Sequence, residues 1–371
     1  MPRPERMQLI QIVPGFPPKV DGIGDYALQL ARRLRRDQSI ETTFLVADPD
    51  WQGGNHDAFP VCRLGSRTPE ALLEAIIELE AKAGTSSLPI LAQFSVYGYE
   101  KRGCPFWFID GLDELRQKRH NALCVAFHEL ENSSSKPWSS VFWLTRIQRG
   151  LIKRLAHMAD YSYTNTDVYR RKLESWGATN TELIPNFSTL GEVRNYPPFD
   201  RRHMDMIVFG RPAQRLWTYE RGGHVLGPLC RLMGVERILD IGQPLRHAAL
   251  ETIDGIPVVR LGLLSEQEVG ARMSTSVGSF MEYPISLLTK SSVHAASCSF
   301  GLIPFVFHKR ENARSCPPLV EGEDFIPVTP DVRGIKLPSL ETLSRKVFDN
   351  YQRRSSREAA RAIAQQLTSL E

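Results

Sequence analysis

The chain opens with Leu9-Ile10-Gln11-Ile12-Val13-Pro14-Gly15-Phe16-Pro17-Pro18-Lys19-Val20-Asp21-Gly22-Ile23-Gly24-Asp25-Tyr26-Ala27-Leu28, and a helical pattern runs on through Gln29-Leu30-Ala31-Arg32-Arg33-Leu34. The apolar run reads as a buried strand, the Pro/Gly stretch as a turn, and the rest as a helix beginning at Gly22 and Gly24. A helix N-terminus presents unpaired amides and the positive end of the backbone dipole, so it favours an anion such as phosphate. Glycine lets the backbone approach that anion with no Cβ in the way. The spacing is neither Gly-x-Gly-x-x-Gly nor that of a P-loop with its Lys-Ser/Thr.

Strand and helix signals keep alternating beyond this unit, which predicts a parallel α/β sheet. Strands are expected at 42–47, 88–94, 122–128, 161–164 and 182–184, with helices at 69–83, 105–119, 139–157 and 168–176 between them. From Pro185 to His203 the chain is polar, contains prolines and has no periodicity, as a linker would. The alternation then restarts with strands at 206–209, 237–241, 258–261, 279–281 and 303–307, and helices at 214–233, 265–274 and 287–297. The tail over 340–370 is helical in pattern. The expected organisation is a domain over 1–187, a linker over 188–204, a domain over 205–345 and a helical tail over 346–371 that packs back on the first domain. Ligands of open α/β sheets bind at the C-terminal strand edges, so a cleft between the two domains is the expected site.

Composition narrows the function. The 371 residues carry a formal charge of only +4, which argues against dedicated nucleic-acid binding. Arg32, Arg33, Arg35 and Arg36 cluster at the end of the first helix. They read either as a solvated face near the negative helix end or as a peripheral contact with anionic lipid or a charged acceptor. Six cysteines (62, 104, 124, 230, 298 and 316) form no Cys-x-x-Cys pair, so neither a disulfide framework nor a metal site is expected. No segment has the apolar length of a signal peptide core or a membrane span. A soluble, cytoplasmic protein is expected; its oligomeric state is not legible.

Four stretches, in this order, resemble family-4 glycosyltransferases of the GT-B fold: Gly22-Ile23-Gly24, Ala126-Phe127-His128-Glu129-Leu130, Leu183-Ile184-Pro185-Asn186, and Val208-Phe209-Gly210-Arg211 followed by Gly262-Leu263-Leu264-Ser265-Glu266-Gln267-Glu268-Val269. The resemblance implies two Rossmann-like doubly wound domains facing each other across a cleft, with the acceptor on the first and the donor on the second. It implies transfer of a sugar, with retention, from a nucleotide-sugar donor to a glycan, lipid or small-molecule acceptor, with no metal and no further cofactor. Gly22 and Gly24 would lie near the donor phosphates, and His128 beside the sugar ring or the departing phosphate. Arg211 would meet the diphosphate, and Arg215 would stand where the family usually has a lysine; Arg215 also reads as an exposed residue of the first helical turn. His128 reads alternatively as a structural histidine, and Glu129 as either an acceptor contact or a cap for the next loop.

The second domain departs from the family's pair of glutamates separated by seven residues. Glu282 is followed at that spacing by Lys290, and an alternative register places the second slot near Ala296, so either register loses one carboxylate. Glu282 is expected to orient the sugar. Lys290, Ser291 and Ser292 read either as a phosphate contact or as an exposed lysine with two capping serines. The lost carboxylate leaves open a non-catalytic nucleotide-sugar-binding or partner protein on the same fold. An NAD-dependent oxidoreductase, with Asp48 or Asp50 on the ribose, fits less well because the third glycine is missing. Trp138, Phe142 and Trp143 sit at helical spacing that favours packing over an acceptor platform, and Phe106, Trp107 and Phe108 are open to both readings.

Overall fold

The computed structural model describes residues 6–19, 21–131, 140–245, 251–308, 315–335 and 338–370. Two units divide the chain, Met1–Ile184 with Ser356–Glu371, and Pro185–Ser355.

Among the described residues, the first unit holds a parallel sheet of β1 (Met7–Val13), β2 (Ile40–Val46), β3 (Val61–Arg63), β4 (Ile90–Ser95), β5 (Leu123–Glu129), β6 (Tyr161–Thr164) and β7 (Thr181–Leu183). The order is β3-β2-β1-β4-β5-β6-β7. The strands read as apolar runs rather than alternations because helices cover both faces. Ile10, Ile12, Ile90, Ala92, Val125 and Phe127 pack under α2 (Pro69–Ala83), α3 (Phe106–Lys118) and α4 (Ser140–Met158), with Leu173 of α5 (Asp167–Ser175) in the same core. On the other face Val13, Phe44 and Val46 meet Ala27, Leu28 and Ala31 of α1 (Gly22–Gln38).

The second unit repeats the plan. Its strands are β8 (His203–Phe209), β9 (Arg237–Ile241), β10 (Thr252–Ile253), β11 (Ile256–Gly262), β12 (Ser276–Glu282), β13 (Ile303–Phe307) and β14 (Ile326–Pro327). They are ordered β10-β11-β9-β8-β12-β13-β14, parallel except for the β10–β11 pair. Its helices are α6 (Pro212–Met233), α7 (Glu266–Thr275), α8 (Ser292–Ser299) and α9 (Leu340–Gln352). In both sheets the strand order reverses beside the first strand, between β1 and β4 and between β8 and β12. Such reversals open a crevice at the C-terminal edge.

Two segments behave differently from their sequence texture. Residues 188–204 look like a free connection but are fastened to the second unit. The Ser188 amide donates to Tyr351 Oη at 2.8 Å, Tyr351 donates to Glu192 at 2.6 Å, and Tyr196 donates to Ser344 Oγ at 2.9 Å. The Arg202 guanidinium donates to the Ser276 and Phe300 carbonyls at 2.6 and 2.8 Å. Side-chain anchors of this kind leave no periodic trace. The helical tail is two helices: α9 stays with the second unit, whereas α10 (Ser356–Ser369) is part of the first and packs on α1. Ala360, Ile363 and Leu367 of α10 are buried, and Arg33 Nε donates to Ser356 Oγ at 2.6 Å.

The four arginines closing α1 each have a partner within the first unit. Arg32 pairs with Asp57, Arg33 and Arg36 with Asp37, and Arg35 with Glu41. All six cysteines are free thiols. Among the described residues no helix is long and apolar enough to cross a membrane.

Inside the second unit, His294 of α8 is buried against the Asp324 carbonyl at 3.2 Å. Burial, reinforced by the positive charge of Arg354, lowers its pKa to about 3. The unfolded chain therefore takes up a proton at this residue below its ordinary pKa of about 6.5 while the folded chain does not. Stability of this unit is expected to fall as pH drops below about 6.5, by up to about 1.4 kcal/mol per pH unit from this residue. Urea unfolding at neutral and mildly acidic pH checks it: His294→Gln should show a shallower loss than wild type.

Candidate functional site

In the first unit the expected residues gather where β1 and β5 end. Asp21 caps α1, its Oδ1 accepting from the Ile23 and Gly24 amides at 2.9 and 2.8 Å. The amides that the sequence offers to a phosphate are thus taken by a carboxylate. Gly22 is exposed at the first turn, whereas Gly24 is buried and tight: a Cβ there would come 2.5 Å from the Gly15 carbonyl oxygen. Close backbone packing explains the glycine at 24. Lys19, in the same loop, pairs with Asp48 at 2.6 Å. Burial pushes the Asp48 carboxyl up, but hydrogen bonds from Lys19 and the Asp50 amide, with the charges of Lys19 and Arg67, hold it below its ordinary value. Asp48, the acid considered for a ribose, is therefore engaged with the loop.

His128 is 6% exposed at the end of β5. Its Nε2 lies 2.7 Å from Gln93 Oε1, and Gln93 Nε2 donates to Gln11 Oε1 at 2.9 Å. The Tyr26 ring of α1 meets the imidazole edge-on at 4.9 Å, so the first turns of α1 and His128 are neighbours. Glu129 accepts from Ser95 Oγ at 3.1 Å, a bond between adjacent strand ends. Among the aromatics, Phe108 is buried, Trp107 is partly buried against the core and Phe106 is exposed. Trp143 is 59% exposed on α4 and is no core residue; an exposed position at helical spacing cannot be told from a buried one by spacing alone. Trp138 and the side chain of Phe142 lie outside the described residues.

In the second unit, α6 and α8 start at the ends of the adjacent strands β8 and β12. Gly210, between β8 and α6, has φ +135°, a conformation that favours glycine; a Cβ there would make only an ordinary 3.6 Å contact with Val293 of α8. Arg211 follows at the N-cap of α6, exposed, and its guanidinium has no partner among the described residues. Arg215, one turn on, is 1% exposed. Its guanidinium binds both oxygens of Asp240 and donates from Nη1 to the Gln243 carbonyl at 2.8 Å. Tyr219 adds a bond to the same carboxylate at 2.6 Å. Arg215 is neither exposed nor open at the edge: it supports the site from below.

Glu282 ends β12 with 3% exposure. Arg221 and His308 approach its carboxylate at 3.7 and 3.8 Å, and its amide donates to Thr218 Oγ1 at 3.2 Å. Lys290 closes a 3-10 turn, Ser291 caps α8 by accepting from the His294 amide at 3.1 Å, and Ser292 begins the helix. Asn186 clamps this turn, its amide donating to the Thr289 carbonyl at 2.9 Å and its side chain to the Lys290 carbonyl at 2.8 Å. Arg211, Glu282 and Lys290–Ser292 thus lie at or follow the C-terminal ends of the adjacent strands β8 and β12, where Arg221 and His308 approach the Glu282 carboxylate. Among the described residues no three His, Cys, Asp or Glu side chains form a metal-binding group.

Sequence reasoning missed Asp240, Gln11 and Gln93. Their signal is a polar residue inside an apolar strand, which a two-sided sheet tolerates only with a buried partner.

No family model and no curated protein matches the chain. Solved structures do match across nearly its whole length. Sucrose-phosphate synthase from Thermosynechococcus elongatus covers 98% of this chain and 95% of its own at TM-score 0.56 and 13% identity. The lipopolysaccharide outer core galactosyltransferase WaaB, in its apo form, covers 98% and 99% at TM-score 0.59 and 11% identity. The fold is GT-B. A UDP-N-acetylglucosamine 2-epimerase also matches, over 97% of this chain and 95% of its own, at TM-score 0.51 and 12% identity. The GT-B likeness therefore concerns architecture, and the chemistry has to be argued from the edge residues.

Removing one partner of a buried ion pair strands the other charge, at a cost of about 3–5 kcal/mol. Asp240→Ala is expected to destabilise the second unit by about that amount, and the double variant Asp240→Ala/Arg215→Met to recover much of it. Urea unfolding of the three proteins checks the pair.

Proposed function

We propose that this chain is a family-4-like glycosyltransferase that takes a sugar from a nucleotide-sugar donor and transfers it with retention to a glycan, lipid or small-molecule acceptor. The observation that carries the reading is Arg211. An unpartnered guanidinium at a helix N-terminus is electrostatically unfavourable by itself, because it faces the positive end of the dipole. An anion held between them reverses that, and a diphosphate is the anion such a transfer releases. Arg211 and Lys290 stabilise the departing charge, with Ser291 and Ser292 at the start of α8 beside them. Arg215 acts from beneath, keeping the first turn of α6 in place through Asp240. Glu282 orients sugar hydroxyls. His128 contacts the reacting sugar, Glu129 the acceptor, and Gly22 and Gly24 shape the loop nearest them.

In the reaction the bond from the sugar to the phosphate oxygen breaks and a bond to the acceptor oxygen forms on the same face. The acceptor's proton passes to the departing phosphate, so no dedicated base is needed. The six free thiols suit a cytoplasmic enzyme.

The test is a thermal-shift panel of UDP, GDP, ADP, their sugars and NAD, followed by transfer assays. A ligand present at about a hundredfold its Kd stabilises the native state by about 2.7 kcal/mol. One nucleotide sugar is expected to raise the melting temperature of wild type but not of Arg211→Ala. Transfer is expected to fall by about 10²–10³-fold in Arg211→Ala and to be lost in folded His128→Ala. Binding without transfer or hydrolysis would move the reading to a non-catalytic nucleotide-sugar-binding protein, an epimerised sugar would move it to the epimerases, and a response to NAD alone would overturn it.

A further inference from the structure

We infer that the outward face of α4, with the loop that leads into α3, is a docking surface for anionic lipid headgroups, by which the first unit sits on a membrane surface. The inference is independent of the proposed transfer, because it concerns surface residues that reading does not use. Trp143 and Ile147 lie four residues apart on α4, hence on one helix face, and are 59% and 43% exposed. Gly150 continues that face, and a Cβ added to it would meet nothing within 4 Å. Phe106, the first residue of α3, is 50% exposed.

These residues gather at one place. α3 and α4 follow the adjacent parallel strands β4 and β5, so both begin at the same sheet edge. Arg154 of α4 donates to Asp110 and Asp113 of α3, each at 2.8 Å, which holds the helices side by side. Gln148 Nε2 donates to the Arg102 carbonyl at 3.1 Å, so the loop before α3 rests on the first half of α4.

Charge decides the partner. Lys101, Arg102 and Arg146 are exposed, and their side chains pair with no acid among the described residues. The neighbouring acids are engaged elsewhere. Glu100 accepts from the Lys101 amide at 3.0 Å, Asp110 and Asp113 hold Arg154, and Glu131 is met by Lys172 and Arg149 at 3.3 and 3.6 Å. Single exposed apolar residues are ordinary on a protein surface. Two aromatic rings and an isoleucine among unpaired cations match a bilayer interface instead. There aromatic rings settle at headgroup depth, basic side chains reach the phosphates along their apolar stems, and an anionic leaflet attracts the cations. A stable protein partner would engage about 20–30 residues a side with lysine depleted. Three apolar side chains and three cations suit a shallow, reversible contact.

The test is co-sedimentation of the full chain with vesicles of phosphatidylcholine alone and of phosphatidylcholine mixed with phosphatidylglycerol, with circular dichroism to check folding. Wild type is expected to pellet with the mixed vesicles and not with the neutral ones, and less so as salt rises. Lys101→Glu/Arg102→Glu/Arg146→Glu should weaken binding at least about a hundredfold, at roughly fivefold for each cation near an anionic surface. Trp143→Ser/Ile147→Ser should weaken it at least about tenfold. Gly150→Trp, which adds a ring to the same face in open space, should strengthen it severalfold, a gain that a damaged fold cannot produce. No pelleting with the mixed vesicles, or pelleting unchanged in both weakened variants, would overturn the proposal. So would a loss confined to the charge variant, which would leave only the diffuse attraction of a basic surface. Retention on immobilised polyglutamate without vesicle binding would give the face to an acidic protein and overturn it as well.

Discussion

A parallel sheet covered by helices on both faces leaves no water for a polar side chain in the middle of a strand, and both units are organised around that constraint. Each meets it with a short internal network beneath its C-terminal edge. In the first unit Gln11, Gln93 and His128 bond to one another across three strands. In the second Asp240 gathers Arg215 and Tyr219 while Arg215 reaches on to the Gln243 carbonyl. Partners of this kind must be satisfied together, because losing one leaves a desolvated group that costs more than the bond contributes. The networks therefore fix side chains beneath the C-terminal edges of both sheets.

Backbone proximity is the second constraint. Gly24 lets α1 approach the turn after β1, and Gly210 takes the φ of +135° that the turn from β8 into α6 uses, at the reversal between β8 and β12. Around that reversal lie Arg211 at the start of α6, Glu282 at the end of β12 and Lys290 in the turn before α8, with Arg221 and His308 approaching the Glu282 carboxylate. Asn186 clamps the Lys290 turn through two backbone carbonyls, which gives the Ile-Pro-Asn segment a physical task. The arginines closing α1 are paired with acids of their own unit.

Much of this was legible in the residues. Apolar runs separated by turn chemistry marked both sheets, and several elements match their expected bounds, among them α2, β6, β9 and β13. Short edge strands such as β3, β10 and β14 were not legible, because two or three residues carry no periodicity. The strap over 188–204 was misleading for a different reason: its order comes from Tyr196, Arg202 and Tyr351, whose partners are remote in sequence. Arg215 shows the limit best. Its place one turn after Arg211 is a sequence fact, but only Asp240, 25 residues away, turns it inward.

By itself, then, the sequence determined the two doubly wound units, the glycines at their turns and the residue types available at each edge, since those follow from local period and backbone permissiveness. Tertiary structure decided which cation stays open and which is consumed, which glutamines face the histidine, and which unit takes the last helix. Those outcomes depend on side chains brought together from distant strands, where burial makes a polar side chain seek a partner that local sequence does not name.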